Sequence, residues 1–311
     1  MTTTPINADT VPSVDVFLGP AEKRFFGHGY RRIHYELGPP AAAPAAGAAT
    51  QFRASIRCPA NWSTKADGDQ RPHLSTIDAL LLGQWATEIA ARTTLGVAPA
   101  TIETWAVESV TIHAGKTPIE DLTDIDVTTT AAGSDDRTST WQVTVGNMRL
   151  SFLLRQHVHH SAVLPRRGHG EPSELTDVVI DTAAHNSRAT LTAGTPVDLI
   201  PESRLGRRLA VDGRPSLVDA FVATLQLGQV LLYELDHMSR GQSNTLWMRQ
   251  TTLTVAVPNI LSPNESHDMA VHLDRIQRLE LGGAHWRTAD VVGAVAGMTV
   301  RCAVAHQLPP K

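Results

Sequence analysis

The sequence predicts an α+β fold made twice: in each half, an antiparallel sheet wrapped around one long buried helix. Three observations carry this expectation. The phrase RPHLSTIDAL (71–80) returns as RPSLVDAF (214–221), each time after an Asp-Gly and each time with an acid in the same slot. Both phrases open a helix that is apolar on nearly every side, which only a buried helix can be. The same order of elements surrounds both phrases, with strand patterns before the helix and three or four after it.

The first half begins with VDVFLGPAEKRFFGHGYRRIHYEL, read as an extended start. GPPAAAPAAGAAT (38–50) packs poorly and reads as a surface loop. QFRASIRCP alternates as a strand does. A helix then begins near Ser75 and fades by Thr94. Its residues Ile77, Leu80, Leu81, Leu82, Trp85 and Ile89 leave only a narrow polar stripe at Gln84 and Glu88. TWAVESVTIHA, DIDVTTTA, TWQVTV and MRLSFLLRQHV read as strands, the last two joined by a hairpin turn at Gly146-Asn147. SAVLPRRGHGEPSELT (161–176) is polar with Pro and Gly and reads as a linker.

The second half repeats the order. TDVVIDTA and RATLTA are strand-like, SLVDAFVATLQLGQVLLYELDHM is a helix, and TLWMRQTTLTVAV, MAVHLDRIQRLEL, TADVVGAV and MTVRCAVAHQL are strands. The closing hairpins match, each turning just before a Met (Met148, Met298). The expected units are therefore 1–160 and 177–311. A curved sheet around one buried helix is the hotdog arrangement, and two in tandem make a double hotdog.

Composition narrows the function classes. The chain is 42% hydrophobic, enough for a sizeable core, and its net charge of −4 with no basic run argues against nucleic acid or an acidic membrane. No uninterrupted apolar run has transmembrane length, and the N-terminus lacks signal-peptide character. Cys58 and Cys302 are far apart without metal-type spacing and read as small apolar strand residues in a reduced, cytoplasmic setting. Small molecules are the expected partners, and a homodimer is compatible with the sequence.

The two acids, Asp78 and Asp219, have two readings. Ser75-x-x-Asp78 and Ser216-x-x-Asp219 are capping boxes, and capping alone would place both acids there. A buried helix start also offers free N–H groups to a carbonyl oxygen, and an acid one turn inside can act as a general base. On that reading Asp219 and Asp78 are catalytic candidates, with the Asp219 end favoured. His28, between two glycines where the backbone can approach a ligand closely, is a third. His73 precedes the first helix and is a substrate-binding candidate, as are Asn244, Trp247 and Arg249 of SRGQSNTLWMRQ. HVHH sets His157 and His159 on one strand face, but no matching carboxylate or Cys accompanies them, so no metal is expected. P-loop, dinucleotide and nucleophile-elbow motifs are absent.

RPSLVDAFVATLQ resembles the Pro-x-Leu-Leu-Asp-Ala stretch of polyketide dehydratase domains, and STIDALLLGQ the Ile-Glu-Ala stretch of fatty-acid hydroxyacyl dehydratases. The His-x-x-x-Gly-x-x-x-x-Pro phrase that supplies the dehydratase histidine is missing. LGPAEKRFFGHGYRRIHYEL, RPHLSTIDALLL and SNTLWMRQ together resemble the AvrD family of avirulence proteins over most of the chain. That resemblance implies building a syringolide-type acyl-sugar lactone by joining a β-ketoacyl thioester to a ketose, in outline similar to AfsA-type butyrolactone synthases. It implies no cofactor beyond the thioester's own carrier, either coenzyme A or an acyl carrier protein as partner. In that chemistry an acceptor bearing phosphate would favour Arg214 or Arg71, beside the acids. A hotdog dehydratase or thioesterase, and a non-enzymatic acyl-binding or protein-binding double hotdog, are the alternatives.

Overall fold

A computed structural model describes all residues except 1–9, 42–47, 61, 66–67, 158–171, 195–198, 206–214, 244, 257–265 and 310–311. In chain order the elements are β1 (Thr10–Ser13), α1 (Asp15–Leu18), β2 (His34–Leu37), β3 (Thr50–Arg57), the short β4 (Thr64–Lys65) and β5 (Gly68–Asp69), α2 (Thr76–Thr94) and α3 (Pro99–Ile102). β6 (Trp105–His113), β7 (Ile125–Ser134), β8 (Thr138–Val145) and β9 (Met148–Gln156) complete the first repeat. The second has β10 (Glu174–Asp181), β11 (Asn186–Thr192), α4 (Leu217–Leu235), β12 (Trp247–Val255), β13 (Ser266–Leu281), β14 (Ala284–Val295) and β15 (Met298–Gln307).

Thirteen strands form one antiparallel sheet in the order β1-β10-β11-β13-β14-β15-β12-β6-β9-β8-β7-β3-β2. Read outward from its centre, the two repeats match strand for strand: β6-β9-β8-β7-β3-β2 against β12-β15-β14-β13-β11-β10. The halves join where β12 pairs with β6, from Gln250 opposite His113 to Thr254 opposite Ser109. This is the double hotdog that the repeated phrase predicts.

Alternation along the strands points one side chain in two at the helices. Met148, Leu150, Phe152 and Leu154 of β9 are buried, as are Met298, Val300, Cys302 and Val304 of β15. The hairpin before Met298 turns through Ala296 and Gly297 at φ 49° and 75°, and the matching one carries Gly146 at φ 56°. α4 is long and apolar enough to pass for a membrane span, but 78% of that window is buried inside the protein. Its composition is that of a core helix.

Two boundaries differ from the sequence reading. The stretch from Val14 to Ile33 is not extended: α1 and two 3-10 turns, Ala21–Lys23 and Gly29–Arg32, occupy it. Gly27 and Gly29 fit the turns because a Cβ would lie 2.0 Å from the Ala21 carbonyl oxygen and 2.2 Å from that of Trp62. β1 also pairs with β10, so the start of the chain lies on the C-terminal unit, and β10 itself begins at Glu174 within the stretch read as a linker. The rest of that linker up to residue 171 lies outside the described residues.

α4 packs tightly on Gly293 of β14, where an added Cβ would sit 2.3 Å from Thr224 Oγ1 of the helix. Gly293→Ala is expected to destabilise the protein by about 1–3 kcal/mol through overpacking, measured by urea unfolding. Gly133→Ala on β7, where nothing lies within reach of a Cβ, is the matched control.

Candidate active site

Both long helices begin with a complete reciprocal capping box. Ser75 Oγ accepts from Asp78 N at 3.1 Å while Asp78 Oδ2 accepts from Ser75 N at 2.8 Å. Ser216 and Asp219 repeat the pair at 3.1 and 2.8 Å, and Ser216 Oγ also donates to Asp219 Oδ2 at 2.6 Å. Each carboxylate takes a further hydrogen bond from a tyrosine of one short segment. Tyr35 on β2 donates to Asp78 Oδ1 at 2.7 Å, and Tyr30 in the 3-10 turn donates to Asp219.

The surroundings of the two acids differ. Asp78 is only 1% exposed, and burial raises its pKa against the opposing pull of its hydrogen bonds. Burial beside Asp78 pushes the Tyr35 hydroxyl well up and the Cys58 thiol to about 11. Asp219 is half-buried, and the N-terminal arm closes over its end of α4. There Phe26 packs edge-on to Phe221 at 6.1 Å, and Arg24 Nη1 donates to Gln226 Oε1 at 2.5 Å.

A cavity of about 150 Å³ opens at the other helix start. Ser75 and Thr76 bring the first turn of α2 to it, and Gln229 and Tyr233 bring α4, so both repeats build its wall. Phe25, Phe26, Trp62, Leu246, Trp247 and Met248 make much of the lining apolar. Trp62 is fixed by an Nε1–H bond to the Gln70 carbonyl at 2.8 Å and by edge contacts to Phe25 at 4.8 Å and His73 at 5.9 Å. Arg24, Lys65, His73 and Arg240 supply its basic groups. Burial and the nearby Arg240 charge lower the Lys65 ammonium to about 8, and burial also lowers Arg240 itself.

Among the residues predicted for the site, His73 and Trp247 line this cavity. Asp78 lies behind its wall, holding Ser75 in place, and Asp219 lies at the helix start under the arm, away from the cavity. The arm packs across the favoured Asp219 end, and the cavity lies at the other helix start. His28 is absent from the lining, and its flanking glycines admit neighbouring protein backbone rather than a ligand. Arg71 is 77% exposed and paired with Glu120 at 2.7 Å. Arg249 is exposed at a bulge of β12. Arg214, Asn244 and His159 lie outside the described residues. Among the described residues no group of three or more His, Cys, Asp or Glu is placed to hold a metal. Sequence reasoning missed Arg24, Lys65, Arg240 and Trp62, which come from three separate segments, and Tyr30 and Tyr35, which flank no local motif of their own.

Tyr35→Phe leaves a buried carboxylate short of one donor, so a loss of about 1–3 kcal/mol is expected in urea unfolding. Tyr30→Phe is expected to cost less, because water reaches Asp219. The raised pKa of Asp78 also has a pH signature. Its contribution is fully present below the unfolded carboxylate pKa and lost as pH rises through the higher folded value. Asp78→Asn is expected to remove that loss, so its stability falls less than wild type as pH rises from the ordinary carboxylate range, read from unfolding midpoints across pH.

Among solved structures, the chain resembles an acyl-CoA thioesterase II from Mycobacterium marinum at 11% identity, covering 91% of this chain and 98% of that one, with a TM-score of 0.44. It also resembles the 12:0-ACP thioesterase from Umbellularia californica at 12% identity, covering 82% and 93%, with a TM-score of 0.46. An acyl-ACP thioesterase from Bacteroides thetaiotaomicron is similar at 11% identity, covering 89% and 99%, with a TM-score of 0.43. No curated protein matches by sequence. The family model described as Pseudomonas avirulence D protein (AvrD) matches residues 9–195 and again 170–309, and the chain belongs to that family.

Proposed function

We propose that this protein is an acyl-thioester enzyme that transfers a β-ketoacyl chain to a hydroxyl of a small ketose or hydroxyketone, giving an ester that closes to a lactone of the syringolide type. The observation that carries the reading is the cavity at the start of α2, where an apolar wall, helix amides and a histidine share one space. Family membership and the double hotdog fold support it.

The chemistry assigns a role to each group. First-turn amides of α2 favour negative charge on the thioester oxygen as the tetrahedral intermediate forms. His73 Nδ1 lies 3.2 Å from the Arg71 carbonyl oxygen, which can only accept, so Nδ1 carries the proton and Nε2 the lone pair. Nε2 takes the proton of the acceptor hydroxyl as its oxygen attacks the thioester carbon. The C–S bond then breaks, and the proton passes to the departing thiolate. Asp78 is a positioning residue in this scheme, setting Ser75 and the first turn through the capping box. The acyl donor arrives on coenzyme A or an acyl carrier protein, and no other cofactor enters. Dehydration is disfavoured by the missing histidine phrase.

Purified protein incubated with a β-ketoacyl thioester and a ketose is expected to yield an acyl-sugar adduct by mass spectrometry. His73→Gln is expected to lower its rate by roughly 100-fold or more without changing the melting temperature much. Free acid formed at the same rate without acceptor would make the protein a thioesterase. Intact thioester with both carriers would make it a binding protein.

A further inference from the structure

We infer that the basic end of the α2 cavity, built by Arg24, Lys65 and Arg240, is a subsite for a phosphate monoester carried by one of the two substrates. The inference rests on the acyl-transfer reading and deepens it.

Three cations converge on one small cavity in a chain whose net charge is −4. No Asp or Glu is among the described residues that line it. They come from three parts of the chain: the N-terminal arm, the β4 strand and the 3-10 turn Arg240–Gln242. Arg240 Nη1 donates to the Thr64 carbonyl at 2.9 Å, which ties the turn of the second repeat to β4 of the first. Its charge acts on both Lys65 and Arg24, which places the three groups close enough to act on one anion.

Arg24 adds an independent observation. Its side chain is 4% exposed, with Asp15 and Gln226 holding the two terminal nitrogens. Its Nε is buried and without a hydrogen-bond partner. A buried guanidinium N–H on a cavity wall is a donor awaiting an acceptor. The first turn of α2 opens on the same space and adds its dipole. Lys65, Arg240 and the free Nε–H of the Asp15-paired Arg24, with a helix start, suit a doubly charged phosphate ester better than a single carboxylate. The enclosed, partly aromatic cavity suits a small molecule rather than a polymer.

The phosphate can belong to the acceptor, as a ketose phosphate, or to the donor, as coenzyme A. Calorimetric titration of the full chain separates the two: dihydroxyacetone phosphate against dihydroxyacetone, and coenzyme A against dephospho-coenzyme A. At least one phosphate ester is expected to bind about tenfold or more tighter than its unphosphorylated counterpart, with affinity falling as salt rises. Which ester does so assigns the source. Lys65→Met and Arg240→Gln are each expected to weaken that binding about tenfold. Equal binding of ester and counterpart by the wild-type protein overturns the subsite, whatever the variants do. So does a preference that survives both substitutions in variants that melt as wild type does. Ester binding without acyl transfer would refute the reaction and leave the subsite standing. Acyl transfer that is no faster with a ketose phosphate or a coenzyme A thioester than with their unphosphorylated counterparts, and is undiminished in both variants, would refute the subsite and leave the reaction.

Discussion

A helix that is apolar on all sides needs more wall than one sheet face provides, and much of this molecule follows from that need. The sheet covers one face of α2 and one of α4. The remaining surface is covered by chain from the other half. Glu88, 1% exposed in the middle of α2, accepts at Oε2 from Ser203 Oγ at 2.8 Å and from the backbone N–H groups of Arg204 and Leu205 at 2.6 and 3.2 Å. Gln226 in α4 is met by Arg24 of the N-terminal arm. Beyond the acid at its start, each buried helix carries a polar residue in its body that fastens a segment from elsewhere, so these positions act as registration points for the wrapping chain.

The acids at the helix starts show how a structural device can be shared with chemistry. Both are fully engaged in capping and in a tyrosine hydrogen bond, which uses their oxygens for structure first. The repeats diverge in what lies in front. At α4 the aromatic residues of the arm fill the space, and at α2 a cavity remains. Duplication thus supplied two equivalent helix starts, and the single arm at the front of the chain made them unequal.

The repeat, the helix starts, the inward faces of β9 and β15 and the closing hairpins were legible because each depends on residues close together in sequence. The capping boxes span three residues, and the strand pattern has a period of two. The cavity was legible only where it touches such a local feature: His73 just before α2, and Trp247 at the start of β12. Arg24, Lys65 and Arg240 are each unremarkable in their own segment, and only the joining of β6 to β12 and the wrapping of the arm bring them together. The arm itself misled because its apolar residues suggested strand, whereas its glycines and Pro20 fold it into turns.

The pairing of β1 with β10 also orders events in time. Thr10 is made well before its partner Val179, which appears only after the whole first repeat. At ribosomal speed that interval is on the order of ten seconds or more, long beside the closing of a sheet. The first repeat can therefore assemble β2, β3 and β6 to β9 around α2 while Val14, Leu18 and Tyr30 have no α4 to rest on. The arm is thus made before the first repeat and docks after it, and its arrival seals the younger helix.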